Sequence, residues 1–175
     1  MQNIIKFVIK HKFLVIIAII SFTLRFVKLN SLPFNFHEDE VLVGYVGRYI
    51  LENGFDIYDN KWPLLYFNKF GDFYIIGPMY VSAFSTLLFG VNEFAVRFPA
   101  AFLGSLIIFP IYVLSFWTFR NKTIALLSAL FVAILPWHII LSRSSVEGVI
   151  GSTIFLSGIL ILLYAVRTNK FKYIV

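Results

Sequence analysis

The chain has 175 residues, of which 59% are hydrophobic, 19% aromatic and 14% charged, with a mean hydropathy of +0.85. Soluble domains carry about 25% charged residues, so the composition excludes an ordinary soluble fold and points to an integral membrane protein. The net charge of +6 does not argue for nucleic acid, because the basic residues stand at the ends of apolar segments, where membrane orientation accounts for them.

In chain order, MQNIIKFVIKHK places lysines ahead of an apolar run from about 13 to 29. No small-residue cleavage site follows before Arg25, so the run reads as an uncleaved signal anchor and first span. A long segment from about 30 to 97 comes next. It opens on FNFHEDEVL, where Glu38, Asp39 and Glu40 follow His37. Asn35 with Glu38 three positions on has the form of a capping box. The stretch DEVLVGYVGRYILEN puts Leu42, Tyr45, Val46, Tyr49 and Ile50 on one helical face, a spacing suited to a helix lying in the membrane interface. ENGFDIYDNKW reads as a turn-rich loop.

The apolar stretch from about 73 to 90 contains Gly77-Pro78 in its first third, a pair that breaks or kinks a spanning helix, and an interfacial or re-entrant helix is expected there. Three further spans follow at about 98–119, 123–141 and 149–166. The expected fold is all-α: a polytopic membrane helical bundle whose long external first loop carries juxtamembrane helices. RTNKFKYIV has the look of a further span beginning, so the chain reads as the N-terminal portion of a longer transmembrane domain.

Orientation follows from the excess of Lys and Arg in cytoplasmic loops. Lys6, Lys10 and Lys12 put the N-terminus in the cytoplasm. If 73–90 does not cross, RNK (120–122) and RTNKFK (167–172) also face the cytoplasm, and all nine acidic residues face the other side of the cytoplasmic membrane.

Capping needs one or two acids, so three in a row invite an electrostatic role. Adjacent carboxylates resist simultaneous ionisation, which predicts one with a raised pKa, able to act as a base or to share a cation. Arg25, Lys28 and Arg97 are expected to snorkel to the interface, and His138 beside Trp137 to anchor there. Arg143 and Glu147 are four positions apart: they form a surface i,i+4 pair or complete a site with the acidic cluster, since both connections face the same compartment. With no cysteine in the chain, a metal would need carboxylate or imidazole ligands.

The order of these elements resembles the N-terminal part of the GT-C glycosyltransferases, with the protein O-mannosyltransferases and the lipid A aminoarabinose transferases as relatives. The likeness is carried by LRFVKL closing the first span, Asp39-Glu40, LLYFNKFGDFY, LFGVNEFAVRFPAAFLGSL and LPWHIILSRSSVEG. It implies an inverting transfer of a sugar from a polyprenyl-phosphate carrier to a protein, lipid or glycan acceptor on the non-cytoplasmic face of the bilayer. Asp39, tuned by Glu40, would be the catalytic carboxylate. Lys69 of Tyr66-Phe67-Asn68-Lys69 would meet the donor phosphate, with Tyr66, Arg97, Arg143 and Glu147 as further substrate-binding residues. Asp39 and Glu147 could alternatively hold a divalent cation, magnesium or manganese. The sequence departs from the family pattern at Phe70, where a proline usually follows the lysine, and at Glu147, where relatives often have aspartate.

Two other classes compete with an enzyme. A transporter predicts charges inside the spans, which this sequence places at their ends. A non-catalytic membrane subunit or fragment predicts no carrier-dependent transfer.

Overall fold

The computed structural model describes residues 11–69 and 71–168. Lys6, Lys10 and most of RTNKFK, used above for orientation, lie outside them. The chain runs α1 (Lys12–Phe26), α2 (Glu38–Asn53), β1 (Tyr66–Lys69), β2 (Asp72–Ile75), α3 (Gly77–Phe89), α4 (Glu93–Leu106), α5 (Ile108–Phe119), α6 (Lys122–Ile134), α7 (Pro136–Arg143) and α8 (Glu147–Thr168). It is mainly helical, as expected, but not wholly so.

Two stretches are long and apolar enough to cross a membrane. Glu93–Phe119, made of α4 and α5 in succession, has 27 residues, and α8 has 22. The pair α6 and α7 reaches spanning length only if counted together, and it bends by 52° between them. Within the described residues α1 has 15 residues. Helix α3 has 13, roughly 20 Å at 1.5 Å per residue, short of a hydrocarbon core of about 30 Å.

The bend has a sequence cause. Pro136 has no N–H to give the carbonyl of Val132, and Leu135 leaves the helical path at φ −63°, ψ 113°, so Ala133 also loses its helical donor. Both carbonyls are taken by Arg25 of α1, with Nη2 3.1 Å from Val132 O and Nη1 3.0 Å from Ala133 O. The same guanidinium reaches Ser21, Ser142 Oγ and His138 Nδ1. Arg25 is fully buried and His138 nearly so. Both are buried inside the protein, which corrects the expectation that Arg25 snorkels outward and that His138 is a surface anchor. The reason is the orphaned carbonyls, which a guanidinium with five donors can satisfy at one place.

The bundle core is built on small side chains. Ala129 and Ala133 of α6, one turn apart, pack with Ile17 of α1 and Ile108 of α5, letting the backbones approach closely. Gly104 of α4 does the same against α7 and α8, since a Cβ there would lie 2.4 Å from Ser142 Oγ and 2.9 Å from Val149.

A second, separate core holds the segment between α1 and α4. Val43, Val46 and Ile50 of α2 pack with Phe67, Ile76 and Met79. This is the face expected of the amphipathic helix at Val46 and Ile50, whereas Tyr45 is exposed. Within that segment lies an antiparallel hairpin, β1–β2, where an all-α fold was expected, with Tyr66 opposite Ile75, Phe67 opposite Tyr74 and Lys69 opposite Asp72. Alternation along its strands buries Phe67 and leaves Tyr66, Phe73 and Ile75 on the outward face, where Tyr66 and Phe73 meet edge to face. Gly71, at φ +95°, supplies the left-handed residue that such a tight connection requires.

Candidate functional site

The three consecutive acids open α2. Successive side chains on a helix diverge by about 100°, so Glu38, Asp39 and Glu40 enter three different environments. Their charges are divided among partners, and mutual repulsion does not set their chemistry.

Glu40 turns inward and is buried. Its Oε1 accepts from Arg97 Nε at 2.8 Å and its Oε2 from Arg97 Nη2 at 3.0 Å, a two-pronged pair between side chains that are 2% and 1% exposed. Oε2 also accepts the His37 N–H at 3.1 Å, while the His37 ring accepts the Asp39 N–H. That is a capping box on His37 and Glu40, two positions later than the Asn35–Glu38 box expected from the sequence. Asn35 is unsuited to the role because it sits at φ +67°, outside the extended region an N-cap occupies. Arg97 spends its remaining donors on Leu29 O and Asn35 O. It is therefore buried scaffolding and does not snorkel.

Asp39 turns toward the hairpin. Its Oδ1 accepts from Tyr74 Oη at 2.8 Å and from Lys69 Nζ at 3.1 Å, and Lys69 also lies 5.3 Å from the Tyr74 ring centre. The Tyr74 hydroxyl first, and the Lys69 ammonium after it, hold the Asp39 carboxyl below the usual carboxylate range. Asp39 in turn raises both Lys69 and Tyr74 above their ordinary values. The expected raised carboxyl pKa is thus reversed at this position, because a cation and a phenol face Asp39 while Glu40 is turned away to Arg97. Glu38 remains exposed, 3.5 Å from Lys69.

Asp39 and Glu40 line a cavity of about 560 Å³ together with His37, Tyr74, Ser145 and Glu147. Glu147, in the first turn of α8, comes to this cavity because of Arg143. The Arg143 guanidinium donates to Leu24 O and Val27 O at 2.8 Å, Leu32 O at 3.1 Å and Lys28 O at 3.3 Å, capping the end of α1. Ser145 Oγ reaches Val96 O at 3.1 Å. The connection from α7 to α8 is thereby tied to α1 and α4 at the end of the bundle that holds Asp39. Arg143 is committed to carbonyls and not to an i,i+4 pair with Glu147.

Of the residues anticipated for the site, Asp39, Glu40 and Glu147 line this cavity and Lys69 joins it through Asp39. Tyr66 lies on the opposite hairpin face from Lys69, and Arg97 and Arg143 are buried behind the cavity wall. The hydrogen bond from Tyr74 to Asp39 is the contact that sequence spacing did not reveal. A signal existed, since YFNK and DFYI flank a glycine as two short β-prone runs.

Among the described residues no group of three or more His, Asp or Glu converges as a ligand set, and the near oxygen of Asp39 already faces an ammonium.

The family model described as dolichyl-phosphate-mannose-protein mannosyltransferase matches residues 76–175, more than half of the chain. The matched part contains Arg97, Arg143 and Glu147; Asp39 and Lys69 precede it. No curated protein and no solved structure matches the chain.

Proposed function

The chain belongs to the dolichyl-phosphate-mannose-protein mannosyltransferase family, membrane glycosyltransferases of the GT-C type, and from that premise we propose that it serves transfer of a sugar from a polyprenyl-phosphate carrier to an acceptor on the non-cytoplasmic face, with inversion. The observation that carries the reading is that Asp39 and Glu147 line one cavity, with Lys69 held 3.1 Å from Asp39 Oδ1. An isoprenoid tail cannot leave the bilayer, so headgroup chemistry belongs at such a rim.

The reaction breaks the bond between the anomeric carbon and a phosphate oxygen, and negative charge builds on the phosphate. A fixed cation stabilises that build-up more than the ground state. Lys69 is the cation best placed for it, being only partly buried, whereas Arg97 and Arg143 are spent on internal acceptors. The acceptor hydroxyl attacks the anomeric carbon and loses its proton, and Asp39, the carboxylate that faces the cavity, receives it. Departure of Lys69 toward the phosphate removes one of the two contacts that keep Asp39 a weak base. Glu147, across the cavity, holds a sugar or acceptor hydroxyl.

The test is carrier-dependent glycosyl transfer by the full-length protein in lipid, comparing wild type with Asp39→Asn and Lys69→Ala. Both variants should lose at least about 100-fold in rate, the range expected for a general base or a charge-stabilising donor. Unchanged rates in both would remove the site assignment, and absence of transfer by the wild-type protein would favour the non-catalytic subunit.

A further inference from the structure

Asp39 meets three groups, and they do not divide evenly between its two oxygens. Oδ1 takes both strong donors, the Tyr74 hydroxyl at 2.8 Å and the Lys69 ammonium at 3.1 Å. Among the described residues, Oδ2 has only His37 Nδ1 within ion-pair distance, at 3.4 Å. That ring nitrogen already accepts the Asp39 N–H, and a nitrogen whose lone pair is so used has no proton to give. Oδ2 is therefore the oxygen of this cavity-lining carboxylate that no described donor occupies.

The two donors on Oδ1 differ in permanence. Lys69 ends a flexible four-carbon stem and carries the charge that an anionic ligand would attract. Tyr74 is a rigid ring on β2, two pairs along the hairpin from Lys69 and so on the same face, with Phe67 buried directly opposite it. Its hydroxyl has no charge to redirect.

We infer that Tyr74 is a positioning residue, the fixed anchor that keeps Asp39 aimed into the cavity through Oδ2 when Lys69 turns away to an anionic phosphate ligand. This deepens the functional reading above and rests on it for the identity of the ligand; the anchoring itself does not depend on turnover.

Two measurements on the full-length protein test it. The first reads thermal unfolding for Tyr74→Phe, which removes one oxygen and preserves the ring, in three backgrounds. In wild type and in Lys69→Ala the substitution should lower Tm by about 2 °C or more. In Asp39→Asn the same substitution should have at most half that effect, since the charged acceptor is gone. Equal loss in all three backgrounds would show a ring-packing role, and loss that disappears in Lys69→Ala would show that Tyr74 merely supports Lys69; either overturns the inference.

The second measurement reads steady-state transfer. Tyr74→Phe should lower kcat by about tenfold or more with the donor KM within about twofold, while Lys69→Ala raises the donor KM. A Tyr74→Phe variant that raises KM and spares kcat would make Tyr74 a ligand contact, against the inference. If the wild-type protein shows no transfer while the Tyr74–Asp39 coupling persists in Lys69→Ala, the functional reading fails and the anchor stands.

Discussion

Arg97 and Glu40 form a two-pronged ion pair, 57 residues apart in the chain, with both side chains almost wholly buried. It fastens the first turn of α2 to α4. The cavity wall depends on it, since Asp39 is the preceding residue.

Removing one member of such a pair leaves the other charged and buried, which costs about 3–5 kcal/mol. Glu40→Leu and Arg97→Met are each expected to destabilise by that amount in thermal unfolding. The double variant Glu40→Leu with Arg97→Met should lose less than the sum, because no lone charge remains. Additive losses would show that the pair is not coupled.

The Asp39–Lys69 contact should show a definite pH signature. Asp39 has a lowered pKa, so its stabilising contribution is present above the unfolded value near ~3.9 and is lost as pH falls through the lower folded value. Lys69 has a raised pKa, so its contribution is complete below the unfolded value near ~10.4 and is lost as pH rises through the higher folded one. The Tm difference between wild type and Asp39→Asn should be flat from about pH 5 to 9 and shrink only below about pH 4. For Lys69→Met the shrinkage should come only above about pH 10.5. A change between about pH 5 and 7 that persists in a His37→Asn background, which removes the imidazole 3.4 Å from Asp39 Oδ2, would place the Asp39 carboxyl above its ordinary value.

Gly47 is where α2 touches the start of α3 most closely: a Cβ there would lie 2.1 Å from the Met79 carbonyl oxygen. Backbone cannot step aside as a flexible side chain can. Gly47→Val should therefore cost at least about 1–3 kcal/mol and loosen the hairpin that follows α2, read as increased protease cleavage between Asn60 and Asp72. Gly151→Ala, with open space around its Cβ, is the matched control and should be neutral or slightly stabilising.

Arg25 should tolerate no replacement. Lysine keeps the charge but offers one compact ammonium in place of a planar fork, so it cannot reach Val132 O, Ala133 O and the His138–Ser142 pair together. Arg25→Lys and Arg25→Met are both expected to destabilise by more than about 2 kcal/mol. The measured consequence beyond stability should appear at Glu147, as a change in its accessibility to a carboxyl-directed reagent, because the bend that Arg25 holds carries α7 toward the cavity.

The apolar runs were legible as spans because hydropathy over about 20 residues is a strong signal, and 98–119 and 149–166 both fall inside helices of that length. The break at Leu135–Pro136 was not, although Pro136 was in view, since a proline alone does not tell whether a partner exists to satisfy the carbonyls it frees. The acids were legible as a cluster in sequence, but not as three residues with three fates. That division depends on which way α2 is rolled, and the roll is set by Val43, Val46 and Ile50 packing on Phe67 and Met79. Arg97 and Arg143 lie near segment ends, where the snorkelling rule applies by default; their burial follows from long-range acceptors that local spacing does not reveal. The Tyr74–Asp39 contact was hidden for the same reason, compounded by the ten-residue hairpin from Tyr66 to Ile75, where no strand was expected.

The Arg25 clasp also bears on how the chain is made. Its acceptors at Val132 and Ala133 lie 107 and 108 residues downstream, so α1 is synthesised and delivered to the bilayer long before anything exists to neutralise the desolvation of its guanidinium. Until then that arginine must stay near water or headgroups, and α1 cannot take its final depth. Nascent chains halted before Ile134 should accordingly show Ser21 open to aqueous thiol labelling in a Ser21→Cys variant, and chains extended past Arg143 should show it shielded. Biogenesis of this bundle thus closes backward, with a late segment locking the earliest one in place.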